Sequence, residues 1–227
     1  MNDHILDRPI WNSLTTAHGP FAIGDGGARR FTPNVSIFAG VRDESADSLA
    51  ALARLMPEDG NLFLIQVAPV VLPDGVRAAK AAEGCQMVLE NLKALARSAP
   101  EIIRLTEADA EDMLNLATLT KPGPYLRDTR LLGDFWGVKE DGKLIAMAGE
   151  RFKHPGYSEI SGVCTHPDYL GRGLAHALCV KVAEQIMARG EQPYLQVFAT
   201  NTRAIRVYEN LGFRTRTKVN AVMLERG

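Results

Sequence analysis

Cysteine is scarce in this chain. Cys85, Cys164 and Cys179 are the three in 227 residues; they lie far apart, are odd in number and include no CxxC pair. Neither a disulfide framework nor a cysteine zinc site is therefore written here, and reduced thiols in a cytoplasmic protein are the expectation. A surplus of charge is missing too: 26 Lys plus Arg stand against 27 Asp plus Glu, a net charge of −1. That leaves no electrostatic footprint for nucleic acid or an anionic membrane and favours small partners over polyanions. No apolar run approaches the ~20 residues of a membrane span. The start, MNDHILDRPIW, lacks the basic and apolar regions of a signal peptide, so a cytoplasmic location is expected. Internal repeats and low-complexity segments are absent by eye. What remains is ordinary globular composition, 46% hydrophobic and 23% charged, with material for one large or two small cores.

The clearest seam lies at Ser98 to Pro100, where NLKALARSAP ends in proline and EIIRLTEADAEDMLNLATL starts afresh as a short strand and a helix. Thr106 is the expected N-cap, with Met113, Leu114, Leu116 and Ala117 forming an apolar face. DFWGVKE and KLIAMAGERF flank Asp141-Gly142, a two-residue hairpin signal. After a turn at His154 to Gly156, YSEISGVCT reads as a strand. A helix follows with Leu174, Leu178, Val182 and Ile186 at helical spacing and a C-terminal cap at Gly190. YLQVFA reads as a strand, NTRAIRVYENLG as a helix closed by Gly212, and FRTRTKVNAVMLER as a final pair of strands. In the first hundred residues SADSLAALARLM predicts a helix and NLFLIQVAPVVL a buried strand; CQMVLE fits either state. The glycine-rich GDGGARR, at Gly24 to Arg30, follows no convincing strand and reads as a turn.

The segment HPDYLGRGLAHAL, residues 166 to 178, places two glycines and an arginine at the mouth of a helix. Unpaired first-turn amides and the helix dipole favour an anion there. A Walker loop is excluded, since GxxxxGK followed by Ser or Thr does not occur. A Rossmann fingerprint fails because the third glycine position is His176 and the next strand, YLQVFA, offers no carboxylate. By itself the loop is also compatible with a plain strand-to-helix turn.

Strand ISGVCT, then HPDY and LGRGLA, a long amphipathic helix, a strand and NTRAIRVYENLGF together resemble the GNAT superfamily of acetyl-CoA-dependent N-acetyltransferases. Its pattern is a strand, a Pro-x-x-Gln/Arg-x-x-Gly-x-Gly/Ala loop, and an asparagine-started helix with a tyrosine ahead of x-x-x-Gly-Phe. The match is specific over residues 101–226; the whole chain, with its RPIW opening and CTHPDYLGRGLA segment, looks most like the FR47-like group. The resemblance implies an α/β (α+β) GNAT fold, a mixed, largely antiparallel twisted sheet flanked by helices. Residues 99–227 would be the acetyl-CoA-binding catalytic domain. Residues 1–98 would be a smaller N-terminal α/β unit on the acceptor side, by analogy a degenerate copy of the same fold.

Carried over position by position, the resemblance sets Val163, Cys164 and Thr165 beside the pantetheine arm. It sets Gly171, Arg172, Gly173, Leu174, Ala175 and His176 around the pyrophosphate, with Asn201 as a further cofactor contact. Leu170 departs from the family's Gln or Arg, so Arg172 is expected to compensate. Tyr208 matches the general acid and Glu159 the base, with Glu150 a weaker carboxylate of the same kind; Gln196 stands where some members carry a glutamate and cannot itself be a base. Tyr125, Arg127, Asp128 and Arg130 fall in the loop that closes over the acceptor. His166 and His176 lack an acidic partner at ligand spacing, so no metal is expected. Cys164 and Cys179 sit in apolar company as packing residues. Acetyl-CoA is then the co-substrate, a small-molecule or peptide amine the acceptor, and a homodimer a compatible assembly. Two other classes stay open, a non-catalytic acyl-CoA-binding or sensing module and a nucleotide-binding protein.

Overall fold

In the computed structural model, residues 4–93 and 101–227 are described. The first part contains helix α1 (Pro9–Leu14), strands β1 (Ala22–Ile23), β2 (Ala28–Phe31) and β3 (Ala39–Val41), helix α2 (Ala46–Leu55), and strands β4 (Leu62–Gln66) and β5 (Val76–Leu89). Strands β1 to β3 form a small antiparallel sheet. Helix α2 begins where the Ser45 hydroxyl accepts from the Ser48 amide at 3.3 Å, the capping that the leading serine of SADSLAALARLM permits.

The second part continues with β6 (Ile103–Arg104), α3 (Ala110–Thr120), β7 (Phe135–Glu140), β8 (Lys143–His154), β9 (Tyr157–Thr165), α4 (Leu174–Ala188), β10 (Gln192–Phe198), α5 (Thr202–Leu211) and β11 (Phe213–Arg226). Its punctuation follows the sequence closely. Thr106 and Asp109 close a capping box ahead of α3. Asp141 and Gly142, at φ 49° and 77°, make the β7–β8 turn, and Asn201 caps α5 by accepting from the Ala204 amide at 3.1 Å.

Eight strands form one sheet in the order β4-β11-β5-β10-β9-β8-β7-β6, antiparallel throughout except for β9 against β10. The seam at Ser98 to Pro100 lies outside the described residues, but the sheet is continuous across it. β5, from before the seam, is inserted between β10 and β11 and pairs antiparallel with both.

That insertion explains the main departures from the sequence expectations. FRTRTKVNAVMLER is one 14-residue strand rather than a pair, because β5 supplies the neighbour that a second strand would have been. The alanine-rich VRAAKAAEG of β5 has helical propensity, yet pairing with β11 overrides it. The strand expected through NLFLIQVAPVVL stops at Gln66, ahead of Pro69 and Pro73, which cannot donate to a ladder. Within GDGGARR, Ala28 to Arg30 belong to β2 rather than to the turn.

Two layers cover the sheet. On one face α4 buries Leu178, Val182, Ala183 and Ile186 against Ile145, Ala148, Ile160 and Leu195. On the other, the N-terminal segment packs Ile10, Leu14, Phe31, Phe38 and Phe63 against Phe152, Tyr194 and Val219. Each such side chain stabilises the fold by roughly 1.5–3 kcal/mol.

Candidate active site

β9 and β10 run side by side only from Tyr157↔Gln192 to Glu159↔Tyr194. Beyond that point they part. β10 pairs on through Phe198 with β5, while β9 stays on β8 as far as Thr165↔Ala146. A bulge at Gly162 helps to turn β9 away: Met147 pairs with Cys164 and Gly149 with Ser161, so β9 carries an extra residue there. Gly162 has φ 64°, which a side chain would resist, and a Cβ would come within 3.0 Å of the Phe135 ring.

The fork opens a cavity of about 420 Å³. Val163, Cys164 and Thr165 form its β9 wall, and Gln196, Val197 and Phe198 its β10 wall. Asn201, Ala204 and Tyr208 of α5 close one side; Phe38, Phe63 and Ile65 come from the N-terminal part. The end of α3 and the following loop, Thr120 to Pro124, cover the remaining side. Such a volume suits a small ligand.

Immediately after β9 the chain reaches the glycine loop. Gly171 and Gly173 both take positive φ, 82° and 78°, and Gly173 is the N-cap of the 15-residue α4. No side chain caps that helix, so its first-turn amides offer donors to an anion. Leu174 is buried in the core and so gives its backbone only. Leu170 is 57% exposed, and the Arg172 side chain lies over the Tyr169 ring and donates to Glu140 at 2.9 Å. The site therefore fits a CoA pyrophosphate through backbone donors; among the described residues β9 leaves its β10-facing edge unpaired beside the cavity, and the buried Thr165 hydroxyl has no partner.

Tyr208 faces the cavity and packs edge-on against Phe213 at 6.1 Å. Burial, with a smaller contribution from Cys179, raises its phenol above its ordinary 10, so it carries its proton at neutral pH. Burial also pushes the Cys164 thiol to about 11 and Cys179 to about 12, so neither supplies a thiolate nucleophile.

The two carboxylates lie elsewhere. Glu159, expected as the base, is fully buried and does not line the cavity. Its oxygens accept from Arg151 Nε and Nη2 at 2.7 and 2.8 Å and from Gln196 Nε2 at 3.0 Å. Arg151 and Gln196 are what the cavity meets. Glu150 is also buried, held by Arg189 at 2.7 Å and Lys153 at 2.6 Å, and is likewise not on the cavity wall.

Of the loop residues expected over the acceptor, Arg130 pairs with Glu107 and the Asp128 amide donates to the Asn34 carbonyl. The Tyr125 ring meets Phe135 edge-on at 5.8 Å, its hydroxyl buried without a partner, and Arg127 is exposed. His166 stands 3.7 Å from Asp168 and has no second acidic neighbour. Among the described residues no cluster of three or more His, Cys, Asp or Glu could hold a metal, and no helix is long and apolar enough to cross a membrane.

A solved GNAT-family protein from Novosphingobium aromaticivorans DSM 12444 shares 41% identity over 99% of this chain and 100% of its own, with a TM-score of 0.91. The chain belongs to the GNAT acetyltransferase family. The family model described as FR47-like protein matches residues 136–222 of this GNAT chain, the stretch that runs from β7 into β11. Lower identities carry the fold alone. A GCN5-related N-acetyltransferase from Kribbella flavida is 16% identical over 90% of this chain and 88% of its own, at TM-score 0.61. A GCN5-related N-acetyltransferase-like protein from Streptococcus suis 89/1591 is 18% identical over 96% and 92%, at 0.58. No curated protein matches.

Sequence reasoning missed Arg151, Phe38, Phe63 and Ile65. Arg151 left one signal, an arginine beside a glutamate in the otherwise apolar LIAMAGERF. The three apolar residues left none, because only the fold brings them to the fork.

Proposed function

We propose that the protein moves an acetyl group from acetyl-CoA to a primary amine by direct attack, without a covalent enzyme intermediate. The observation that carries this reading is the β9–β10 fork, which has an uncapped helix N-terminus behind two positive-φ glycines at one end and a protonated, cavity-facing tyrosine on α5. Acetyl-CoA would lay its pantetheine along Val163, Cys164 and Thr165, as an added strand pairs with a sheet edge, and its pyrophosphate on the amides from Gly171 to His176. Asn201 would flank the cofactor while capping α5.

Tyr208 is assigned the role of general acid to the departing thiolate, which its raised pKa allows. Glu159 is assigned the orientation of Arg151 and Gln196 rather than direct deprotonation, because two side chains stand between it and the cavity. The acceptor amine must then arrive neutral without a carboxylate beside it. A lysine-type amine is only about one part in two thousand neutral at pH 7, whereas a peptide-type α-amine, with no charged carboxylate beside it, is neutral roughly a tenth of the time. An α-amine is therefore the acceptor that this cavity suits.

Calorimetric titration with acetyl-CoA, CoA, ATP and NAD tests the binding class, and thiol release with a panel of amines tests turnover. Heat with the CoA ligands alone, followed by thiol release, is expected. No heat with either CoA ligand sinks the reading; binding without turnover of any amine would leave an acyl-CoA-binding module.

A further inference from the structure

Among the described residues the cavity wall carries two cations, Lys121 and Arg151, and no carboxylate. A polycationic acceptor would meet like charge and nothing to offset it. Arg151 is 8% exposed, and its surroundings leave one part of it open. Nε and Nη2 donate to Glu159, while the ring centroids of Phe38 and Phe152 lie 4.7 and 4.5 Å from its guanidinium carbon. The remaining nitrogen, Nη1, takes no part in these two bonds, and Arg151 lines the cavity.

Gln196 has the complementary polarity. Its Nε2 must donate to Glu159, since a carboxylate only accepts, and this turns Oε1 the other way, where it is buried with no partner among the described residues. One carboxylate thus fixes a donor and an acceptor on the wall of the same cavity, next to the apolar surface of Phe38, Phe63 and Ile65.

Resting on the acetyl-transfer reading, we infer that the acceptor is a free α-amino acid with an apolar side chain. Its carboxylate meets Arg151 Nη1, which offsets the field by which that carboxylate otherwise raises the pKa of a free amino acid's amine; its amine donates to Gln196 Oε1, and its side chain lies on Phe38, Phe63 and Ile65. The amine lone pair attacks the thioester carbonyl, the C–S bond breaks, the thiolate takes a proton from Tyr208, the acetylated nitrogen loses one to solvent, and Tyr208 recovers one from solvent. A buried guanidinium held by a fixed partner discriminates sharply, because an acceptor lacking the carboxylate leaves it unsatisfied.

The test measures thiol release by the wild-type protein with acetyl-CoA and L-leucine, L-methionine or L-phenylalanine, against the corresponding amides and 2-phenylethylamine. The acids are expected to exceed their amides at least tenfold in kcat/KM. Amides or 2-phenylethylamine used equally well, or no amino acid used by a protein that binds acetyl-CoA, overturns the inference. Failure to bind acetyl-CoA at all instead overturns the acetyl-transfer reading beneath it. Arg151→Met combined with Glu159→Gln removes the ion pair without stranding either charge. It should abolish the preference for acids over amides and leave acetyl-CoA affinity within about twofold, with circular dichroism confirming the fold; a preference that survives in this folded variant counts against the assignment.

Discussion

The two faces of the eight-stranded sheet bury very different chemistry. Under α4 the core is mainly aliphatic, with Phe213 in it and the buried Glu150 held by Arg189 at the helix end, and its positions repeat with the helix period, Leu174, Leu178, Val182 and Ile186. Beneath the N-terminal segment the layer is aromatic and holds buried polar groups, among them Arg151, Glu159, His154 and Gln86. The first arrangement stabilises mainly by area, and trimming it costs the transfer of what is removed plus the cavity left behind. The second depends on complete pairing, so a single deletion leaves another group desolvated and alone. On this view the α4 face supports the sheet and the cofactor loop, and the N-terminal face shapes what reaches the fork.

The contrast is broken most severely at Glu159. Glu159→Ala leaves the Arg151 guanidinium buried and uncompensated, which should cost about 3–5 kcal/mol in urea unfolding. Replacing both partners by uncharged residues of similar size should restore most of that. A loss under about 1 kcal/mol for Glu159→Ala would mean that water reaches the pair and that this face is less dry than its burial implies.

Tyr208 packs at the edge of the α4-side core yet lines the fork, and its substitution should act on rate alone. Tyr208→Phe keeps the ring against Phe213 and removes the proton. With a confirmed acceptor kcat should fall at least about a hundredfold at unchanged acetyl-CoA affinity. An unaltered kcat removes Tyr208 from the chemistry.

Legibility divides along the same line as the chemistry. The α4 side could be read from the chain because its signals are local: Asn201 three residues before the amide that it caps, Asp141-Gly142 between two strands, glycines at a helix mouth. So could the walls at Val163 to Thr165 and Tyr208, through their place in a continuous motif. The insertion of β5 between β10 and β11 could not, since it depends on a partner more than 100 positions away along the chain. The same is true of Phe38 and Phe63 at the cavity. Glu159 was singled out through the family motif, but which way it faces was not legible, because period-2 alternation cannot count a bulge. One between Glu150 and Lys153 shifts the β8 register there, and Arg151 pairs with Glu159.

The buried histidine sharpens the comparison through pH. His154 donates to or accepts from the Tyr194 hydroxyl at 2.8 Å, and burial, with a smaller push from His18, lowers its pKa from 6.5 to about 3. Below pH 6.5 the unfolded chain takes up a proton that the folded chain refuses until about pH 3. Stability from this group is therefore whole above 6.5 and is lost on acidification through that window, by up to about 1.4 kcal/mol per pH unit. Urea midpoints between pH 7 and 5 should fall more steeply for the wild type than for His154→Phe; parallel slopes would show that the histidine is charged in the folded state.

The smallest effect is expected where the sequence suggested compensation. Leu170 puts an apolar side chain where the family offers Gln or Arg, and Arg172 was the natural substitute. In the folded chain Arg172 instead lies on the half-buried Tyr169 ring and donates to the exposed Glu140, the latter contact worth at most about 1 kcal/mol to it. The loop amides need no side chain to present donors, because positive φ at Gly171 and Gly173 already shapes them. Arg172→Ala should therefore weaken acetyl-CoA binding by less than about fivefold, with calorimetry as the measure. A tenfold or greater loss would mean that Arg172 leaves Glu140 for the phosphate, and Glu140→Gln should then strengthen binding by freeing it.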